Sequence, residues 1–411
     1  MSSARRPRLL VLNQYYWPGV EATAHLLTEL CEALAGEFDV TVVTGRLREH
    51  AEGPPGKAER NGVRIVRVHS TAFERAHLGR RGLNYVTYLV QSLRAGIATR
   101  RPDVVLCMTD PPIIGDVAHV VARRFRVPLV VISQDVFPEI AVELKRLESR
   151  ALVGVLRVLI RWYLQRADRI VAIGETMRER LVEKGTPSAR IAVIPNWVDT
   201  NRLTPEPADN AWARANGLAD RFVVMHSGNI GYAQNLDSLI RAGTFLRDLD
   251  DLAIVLVGSG ARQDEIEALA ARLEVDAVHF LPYQEREVLS QSLSTASVHV
   301  VGLATGLSGY VVPSRLYGVL AVGRAVIVAA DANSETAQIV ERVGCGVVIE
   351  PGRPELLAEA IRLAHDGGYD LERMGALGRE YVVANADRAV AVSRYAALLR
   401  ELAAAPYHGV E

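Results

Sequence analysis

Residues 223–240 read VVMHSGNIGYAQNLDSLI, which joins an apolar run to a short glycine loop and then to a helical pattern. A strand that ends in a glycine loop and leads into a helix is typical of α/β proteins that hold phosphate groups. The loop contains Gly228 and Gly231, whose lack of a side chain lets a ligand approach the backbone. Nevertheless, residues 226–240 contain no Lys or Arg. If this loop holds a phosphate, a positive side chain must come from another part of the chain.

The same order of short strands and helices continues along the chain and occurs in two copies. The predicted strands lack polar alternation and are separated by helical patterns, which indicates parallel sheets with helices on both faces. Residues 200–220 carry prolines and polar residues without a periodic apolar run, so they predict the connection between the copies. We therefore predict an α/β protein with two doubly wound domains, 1–199 and 200–385, that face each other across a cleft. A final helix in 386–411 is expected to cross back toward the first domain.

Composition and charge exclude several classes of protein. The chain has 411 residues, a formal net charge of −1 and no apolar stretch long enough for a transmembrane helix, so neither a nucleic-acid binder nor a membrane-spanning protein is expected. Cys31, Cys107 and Cys345 lie far apart in apolar runs, which is typical of free thiols in a reducing compartment. No metal-ligand spacing occurs. We expect a cytoplasmic protein that needs neither a metal nor a resident cofactor.

Two loops in the first half place candidate site residues after predicted strands, where ligands of parallel sheets bind. Gly19 follows the first strand and precedes a helix that is expected to open with Glu21, so it permits a ligand to approach the helix N-terminus. Asp135 and Glu139 follow the strand at 129–133. A carboxylate there can accept a proton from an attacking hydroxyl or hold sugar hydroxyls. The alternatives are a packed turn at Gly19, a capping role for Asp135 and a solvated Glu139.

Arg315 is the candidate for the missing positive charge. Ser314 is a plausible N-cap, which places Arg315 in the first turn of a helix, where a cation opposes the helix dipole. That position makes sense if an anion docks there, because a guanidinium holds phosphate oxygens in a fork. At about 4 Å and an effective dielectric constant of about 20, such a pair gains about 4 kcal/mol of Coulomb energy before desolvation. A solvated surface arginine is the alternative.

Three further residues are candidates for holding a base or a sugar. Pro282 and Tyr283 follow a strand and offer a wall and a backbone for a flat base, although a simple turn into a helix fits equally well. Glu335 lies in the predicted first turn of a helix. It either holds a sugar or ribose hydroxyl or only complements the helix dipole.

The segment 144–169 is strongly basic, with seven basic and two acidic residues. Apolar residues, including Trp162 and Tyr163, alternate there with Arg157 and Arg161. The pattern fits an interfacial helix that contacts anionic lipid, and it also fits a helix packed on the sheet with a basic outer edge.

Taken together, these segments resemble the retaining nucleotide-sugar glycosyltransferases of family 4, which have the GT-B fold of two Rossmann-like domains. The likeness extends over nearly the whole chain. It rests on YYWPGVEATAHLLTELCEALA, SQDVFPE, HSGNIGYAQNLDSLIRA and VPSRLYGVLAVGRAVIV. The chain looks most like the bacterial subgroup that builds surface polysaccharides and includes N-acetyl-L-fucosamine transferases.

This resemblance implies that a sugar moves from a nucleotide diphosphate, with UDP preferred, to a hydroxyl of a glycan, a lipid-linked or a small-molecule acceptor. The anomeric configuration is retained because the leaving phosphate accepts the acceptor's proton on one face. Arg315 and the Gly228–Gly231 backbone are expected to stabilise the departing diphosphate. Asp135 is expected to orient a sugar, and Gly19 to let the first, acceptor-binding domain close on the donor.

The chain departs from the family pattern at four positions. Asn229 and Gln234, which we still expect to contact the donor, stand where many members carry Arg and Lys. Tyr310 and Gly318 stand where many members carry two glutamates, and Glu335 is a candidate substitute. Two other readings stay open: a catalytically silent GT-B subunit that binds nucleotide, and a nucleotide-sugar epimerase or hydrolase.

Overall fold

Parallel strands alternate with helices in both halves of the chain. The computed structural model describes residues 5–19, 22–45, 56–69 and 78–407. The chain divides into a first unit, residues 1–194 with 392–411, and a second unit, residues 195–391. The predicted α/β class and parallel sheets are confirmed, and the predicted domain boundaries at 199/200 and 385/386 lie close to these divisions.

The first sheet has the strand order β3-β4-β2-β1-β5-β6-β7-β8, and every pair is parallel except β3 with β4. The elements of this unit are β1 (Arg8–Leu12), α1 (Ala22–Leu34), β2 (Asp39–Gly45), β3 (Lys57–Arg60), β4 (Val63–Val68), α2 (Leu78–Ala98), β5 (Val104–Met108), α3 (Ile114–Phe125), β6 (Leu129–Ser133), α4 (Glu139–Glu143), α5 (Arg150–Arg166), β7 (Arg169–Ala172), α6 (Glu175–Glu183) and β8 (Ile191–Val193).

The second sheet has the order β11-β10-β9-β12-β13-β14 and is parallel throughout. Its unit contains α7 (Ala211–Ala215), β9 (Phe222–Ser227), α8 (Leu236–Gly243), β10 (Leu252–Val257), α9 (Gln263–Arg272), β11 (Val278–Leu281), α10 (Leu289–Thr295), β12 (Val298–Gly302), α11 (Arg315–Ala321), β13 (Val326–Ala329), α12 (Glu335–Val343), β14 (Gly346–Ile349), α13 (Pro354–His365) and α14 (Leu371–Asn385). The last helix, α15 (Arg388–Ala404), starts in the second unit and belongs to the first from Val392 onward.

Both faces of the second sheet are buried, which explains why its strands lack polar alternation. Val224 and Ile254 contribute to the hydrophobic cluster on one face. Val223, Met225 and Val255 contribute to the cluster on the other face, because successive side chains of a strand point in opposite directions.

Four elements are not predicted from the sequence: β3, α14, α7 and the short helix α4. The edge strand β3 reads KAER and is largely exposed, so it has no apolar pattern to detect. Helix α14 packs against α11 and α12 and buries mainly small residues, Gly375 and Gly378, so its apolar period is weak. Helix α7 lies inside the predicted connection at 200–220, which is therefore packed structure: Trp212 is only 8% exposed.

Trp212→Ala should destabilise the second unit by about 3 kcal/mol, because it removes a buried indole from the sheet face. The variant also loses the hydrogen bond from Nε1 of Trp212 to Oε1 of Gln284, which measures 2.8 Å. Urea unfolding followed by circular dichroism measures the change. Phe245→Ala, at a side chain that is 54% exposed, is the control and should change stability by less than about 1 kcal/mol. Equal effects of the two substitutions would contradict a packed connection.

Candidate functional site

The loops after β9, β10 and β11 are tied together at the carboxyl edge of the second sheet. The N–H of Gly228 donates to the carbonyl of Val257 at 2.8 Å. The N–H of Gly258 donates in turn to the carbonyl of Leu281 at 2.9 Å. Gly258 has φ of +135°, and a Cβ atom there would lie 2.1 Å from the carbonyl oxygen of Gly228. This close approach of two loops requires glycine at 258.

The glycine loop uses most of its own N–H groups within the protein. The N–H of Ile230 donates to a carbonyl in the loop after β10 at 2.9 Å. The N–H of Gly231 donates to Oε1 of Gln234 at 3.0 Å. With Gly228 also engaged, three backbone N–H groups are taken. These three N–H groups are bonded within the protein, so the expectation that the Gly228–Gly231 backbone holds the diphosphate is corrected for them. The side chain of Gln234 supports the loop itself. Asn229 is exposed and stays a predicted ligand contact.

Arg315 lies against this loop, as the sequence predicts. A Cβ atom at Gly228 would be 3.6 Å from Cζ of Arg315. Nη1 of Arg315 lies 2.7 Å from Nε2 and 3.0 Å from Nδ1 of His226, which is fully buried at the end of β9. Arg315 is the first residue of α11, and Ser314 occupies the N-cap position without a side-chain capping hydrogen bond. Ser314 therefore does not cap the helix as predicted.

The electrostatics of this pair leave Arg315 ready for an anion. Burial, and then the charge of Arg315, lower the pKa of His226 well below its usual range. His226 is therefore neutral and accepts a hydrogen bond from the guanidinium. Burial lowers the pKa of Arg315 to about 10, so it stays charged at neutral pH. Across the described ranges of the chain, no carboxylate lies within ion-pair distance of Arg315.

The loop after β11 presents Tyr283 beside Arg315. The Tyr283 side chain is 64% exposed and lies near enough to raise the pKa of Arg315. The carbonyl of Pro282 accepts a hydrogen bond from Nε2 of Gln284 at 2.7 Å, and the same amide bonds Trp212. The loop is thus anchored to the core through Gln284 while the phenol ring remains open to a flat ligand.

Glu335 begins α12, where Ser334 caps the helix by accepting from the N–H of Ala337 at 3.3 Å. Burial raises the pKa of Tyr317 on α11, and the charges of Tyr381 and Glu335 add to this increase, so Glu335 lies near the helix that carries Arg315. Both readings of Glu335 stay open. A Cβ atom at Gly318 would meet only Cδ1 of Leu293 at 3.7 Å, so packing does not require glycine there.

Asp135 is a half-buried carboxyl at the carboxyl end of β6. Burial, and then the charge of Asp110 after the neighbouring strand β5, raise the pKa of Asp135 to about 7. Asp110 and Asp116 are candidate residues that were not predicted from the sequence. Burial also raises the pKa of Asp116 to about 7, and its carboxylate oxygens are buried without a hydrogen-bond partner among the described residues. Their positions after β5, at the carboxyl end of a strand, are the feature of the sequence that could have identified them.

Glu139 is held in two ion pairs, which favour a structural role for its carboxylate over the predicted catalytic role. Its carboxylate pairs with Nζ of Lys184 and with Nε of Arg157, the latter at 3.1 Å. Burial raises its pKa, but the hydrogen bond and charge of Lys184 outweigh this and lower the pKa below its usual value. A carboxylate stabilised in this way is a poor proton acceptor.

Gly19 also has its N–H engaged, because it donates to the carbonyl of Tyr16 at 2.9 Å. Glu21, where the first helix was expected to open, lies outside the described residues; α1 is described from Ala22. No group of three or more His, Cys, Asp or Glu side chains in the described part of the chain is arranged to hold a metal ion.

Two family models match the chain. Residues 19–197 match the Glycosyl transferase 4-like domain, and residues 209–381 match Glycosyl transferases group 1. The chain belongs to the glycosyltransferases. It is 29% identical to the putative colanic acid biosynthesis glycosyl transferase WcaI of Escherichia coli, over 55% of each chain. It is 24% identical to the probable glycosyltransferase WbjE of Pseudomonas aeruginosa, over 96% of this chain and 98% of the relative.

The fold comparison agrees with these matches. Anabaena HepE in complex with UDP superimposes with a TM-score of 0.72 at 16% identity, over 96% of this glycosyltransferase and 100% of that chain. The predicted GT-B class, with two Rossmann-like parallel-sheet domains, is confirmed.

His226→Phe should weaken binding of a nucleoside diphosphate by about tenfold, because Arg315 loses the acceptor that orients its guanidinium. His226→Gln keeps an acceptor and should retain most of the affinity. Isothermal titration calorimetry measures both.

His299→Phe is the matched control, since His299 is also buried in a neighbouring strand but bonds the carbonyl of Leu293. It should cost stability without a comparable loss of affinity. Unchanged affinity in His226→Phe would contradict the role assigned to His226.

Asp135→Asn should raise the thermal midpoint more at about pH 8 than at about pH 5. The carboxyl has a pKa of about 7 in the folded chain against an ordinary value of 3.8. The folded state therefore binds more protons than the unfolded state between these values, and stability falls as pH rises. The amide cannot ionise and escapes this loss.

Thermal unfolding across that pH range measures the difference. The exposed Asp264→Asn, on α9, should shift the midpoint equally at both pH values. A pH-independent shift in Asp135→Asn would show that the carboxyl is ordinary.

Proposed function

We propose that this glycosyltransferase moves a sugar from a nucleotide diphosphate sugar to an acceptor hydroxyl with retention of configuration. The observation that carries the donor class is Arg315, a charged guanidinium beside the glycine loop whose hydrogen-bond partner is a neutral histidine. A diphosphate supplies the anion that this guanidinium lacks.

UDP is the proposed nucleotide. Tyr283 provides an exposed aromatic ring beside Arg315 for a pyrimidine base. The structurally similar HepE was crystallised with UDP, and the resemblance to surface-polysaccharide enzymes points the same way. Within that resemblance, an N-acetylhexosamine such as N-acetyl-L-fucosamine is the proposed sugar.

The proposed reaction occurs on one face of the sugar. The bond from the anomeric carbon to the diphosphate oxygen breaks, the acceptor oxygen bonds to the same carbon, and the hydroxyl proton passes to the departing phosphate. Arg315 stabilises the charge that develops on the diphosphate. Asp135 orients a sugar hydroxyl, and Glu335 takes the place of one of the two glutamates that are absent at Tyr310 and Gly318. Positioning and charge stabilisation then supply the catalysis without a protein nucleophile or a metal.

The acceptor is proposed to be a glycan or a lipid-linked sugar, because WcaI is named for colanic acid biosynthesis and the chain resembles enzymes of surface polysaccharides. A cytoplasmic location fits this role.

A catalytically silent nucleotide-binding subunit is the second candidate. It is favoured by one observation, the absence of carboxylates at Tyr310 and Gly318. Nucleotide binding without turnover of any donor would support it.

The decisive experiment presents the purified protein with UDP-, GDP-, ADP- and TDP-sugars in excess chelator and measures release of nucleoside diphosphate. We expect release from a UDP-sugar, and Arg315→Ala should weaken UDP binding about thirty-fold through the lost charge-assisted hydrogen bonds. Arg272→Ala, at an exposed arginine at the end of α9, is the control and should bind as the wild type does. No binding of any donor would overturn the proposal, and activity only after addition of a divalent ion would overturn its metal-free part.

A further inference from the structure

Three neighbouring helices of the first unit leave large aliphatic side chains in solvent. Helix α2 packs against α3, and α3 packs against α5, so the three helices form one row. Eight aliphatic side chains on this row are between 37% and 68% exposed: Val86, Val90, Ile97, Val120, Leu152, Val155, Val158 and Leu159. We call this set the aliphatic face. Exposed apolar groups that cluster in this way mark an interaction surface.

On helix α5, the exposed aliphatic side chains lie on a different face from the side chains that pack in the core. Its core face is formed by Val153, Ile160, Tyr163 and Leu164, which are buried. At 100° per residue, Leu152, Val155, Val158 and Leu159 fall on an arc outside those four positions. Val158, at 68% exposed, is the most open of them. The helix is therefore packed on the first unit and still carries an aliphatic outer face, so the two readings of segment 144–169 are compatible.

The charged residues of these three helices are almost all positive, although Arg157 of α5 is paired with Glu139 of α4. The sequences of the three helices contain nine arginines, namely three in α2, two in α3 and four in α5, and no Lys or Glu. Asp116 is the one acidic residue, and its carboxylate oxygens are buried. The whole chain has a net charge of −1. Positive charge is thus concentrated on the helices that expose the aliphatic side chains.

We propose that the aliphatic face docks on the surface of an anionic phospholipid bilayer. Valine and leucine side chains gain by entering the boundary between headgroups and acyl chains, and the guanidinium groups of the same helices gain by meeting lipid phosphates. A nucleic acid would satisfy the arginines but leave the aliphatic side chains in water. A second copy packed symmetrically on this face would bring arginines against arginines. Within the described residues, no helix is long and apolar enough to cross a bilayer.

This inference does not rest on the proposed function, because bilayer binding needs no donor or acceptor. It adds that the enzyme works at a membrane surface, where a lipid-linked acceptor would be concentrated.

The test is sedimentation of the full chain with phosphatidylcholine vesicles that contain or lack phosphatidylglycerol. We expect binding to the anionic vesicles, much weaker binding to the neutral ones, and a decline as salt increases. Arg150→Gln with Arg161→Gln should lower the partition coefficient about thirty-fold. Val155→Ser with Val158→Ser should lower it about tenfold.

The matched controls lie on the second unit. Val383→Ser replaces a valine that is 44% exposed on α14, and Arg272→Gln removes an exposed arginine; both should bind like the wild type. Circular dichroism confirms that each variant is folded, and size-exclusion chromatography reports self-association. Absence of binding to anionic vesicles, equal losses in the control variants, or a dimer that the valine substitutions dissociate would each overturn the proposal. Donor turnover is measured separately and is unaffected by these outcomes.

Discussion

The candidate donor site depends on the contact between a charged arginine and a neutral histidine. Arg315 lies against Gly228 and bonds His226. A carboxylate in place of His226 would neutralise the guanidinium and compete with an anionic ligand, whereas a neutral acceptor orients it and leaves its charge available. Three elements of the second unit position this contact: His226 lies next to the last residue of β9, the end of β10 holds Gly228 in place, and α11 begins at Arg315.

The α/β class was predictable because buried parallel strands produce long apolar runs that even a single sequence displays. Arg315 was predictable because a cation at a helix start is otherwise unfavourable. The role of His226 was not predictable, because nothing in the sequence shows that this histidine contacts Arg315. The contact arises only when the strand order brings the end of β9 next to α11. The internal bonds of Ile230 and Gly231 were hidden for the same reason: their acceptors lie in a neighbouring loop and in the side chain of Gln234.

Glu139 illustrates a second limit of sequence reasoning. Its place after a strand suggested chemistry, but its partners Lys184 and Arg157 come from distant segments of the first unit. The basic segment 144–169 shows the converse. Its composition allowed two readings, and the exposed fractions of single side chains were needed to show that α5 has both a core face and an outer aliphatic face.

The ionisable groups at the carboxyl edges of the two sheets respond differently to pH. Near neutral pH, Arg315 keeps its proton and His226 stays without one. Asp135 and Asp116, whose pKa values are raised to about 7, change their charge in this range and lie at the carboxyl edge of the first sheet. A pH titration through neutrality would therefore change the electrostatics at this edge of the first sheet without changing the charge that Arg315 offers to an anion.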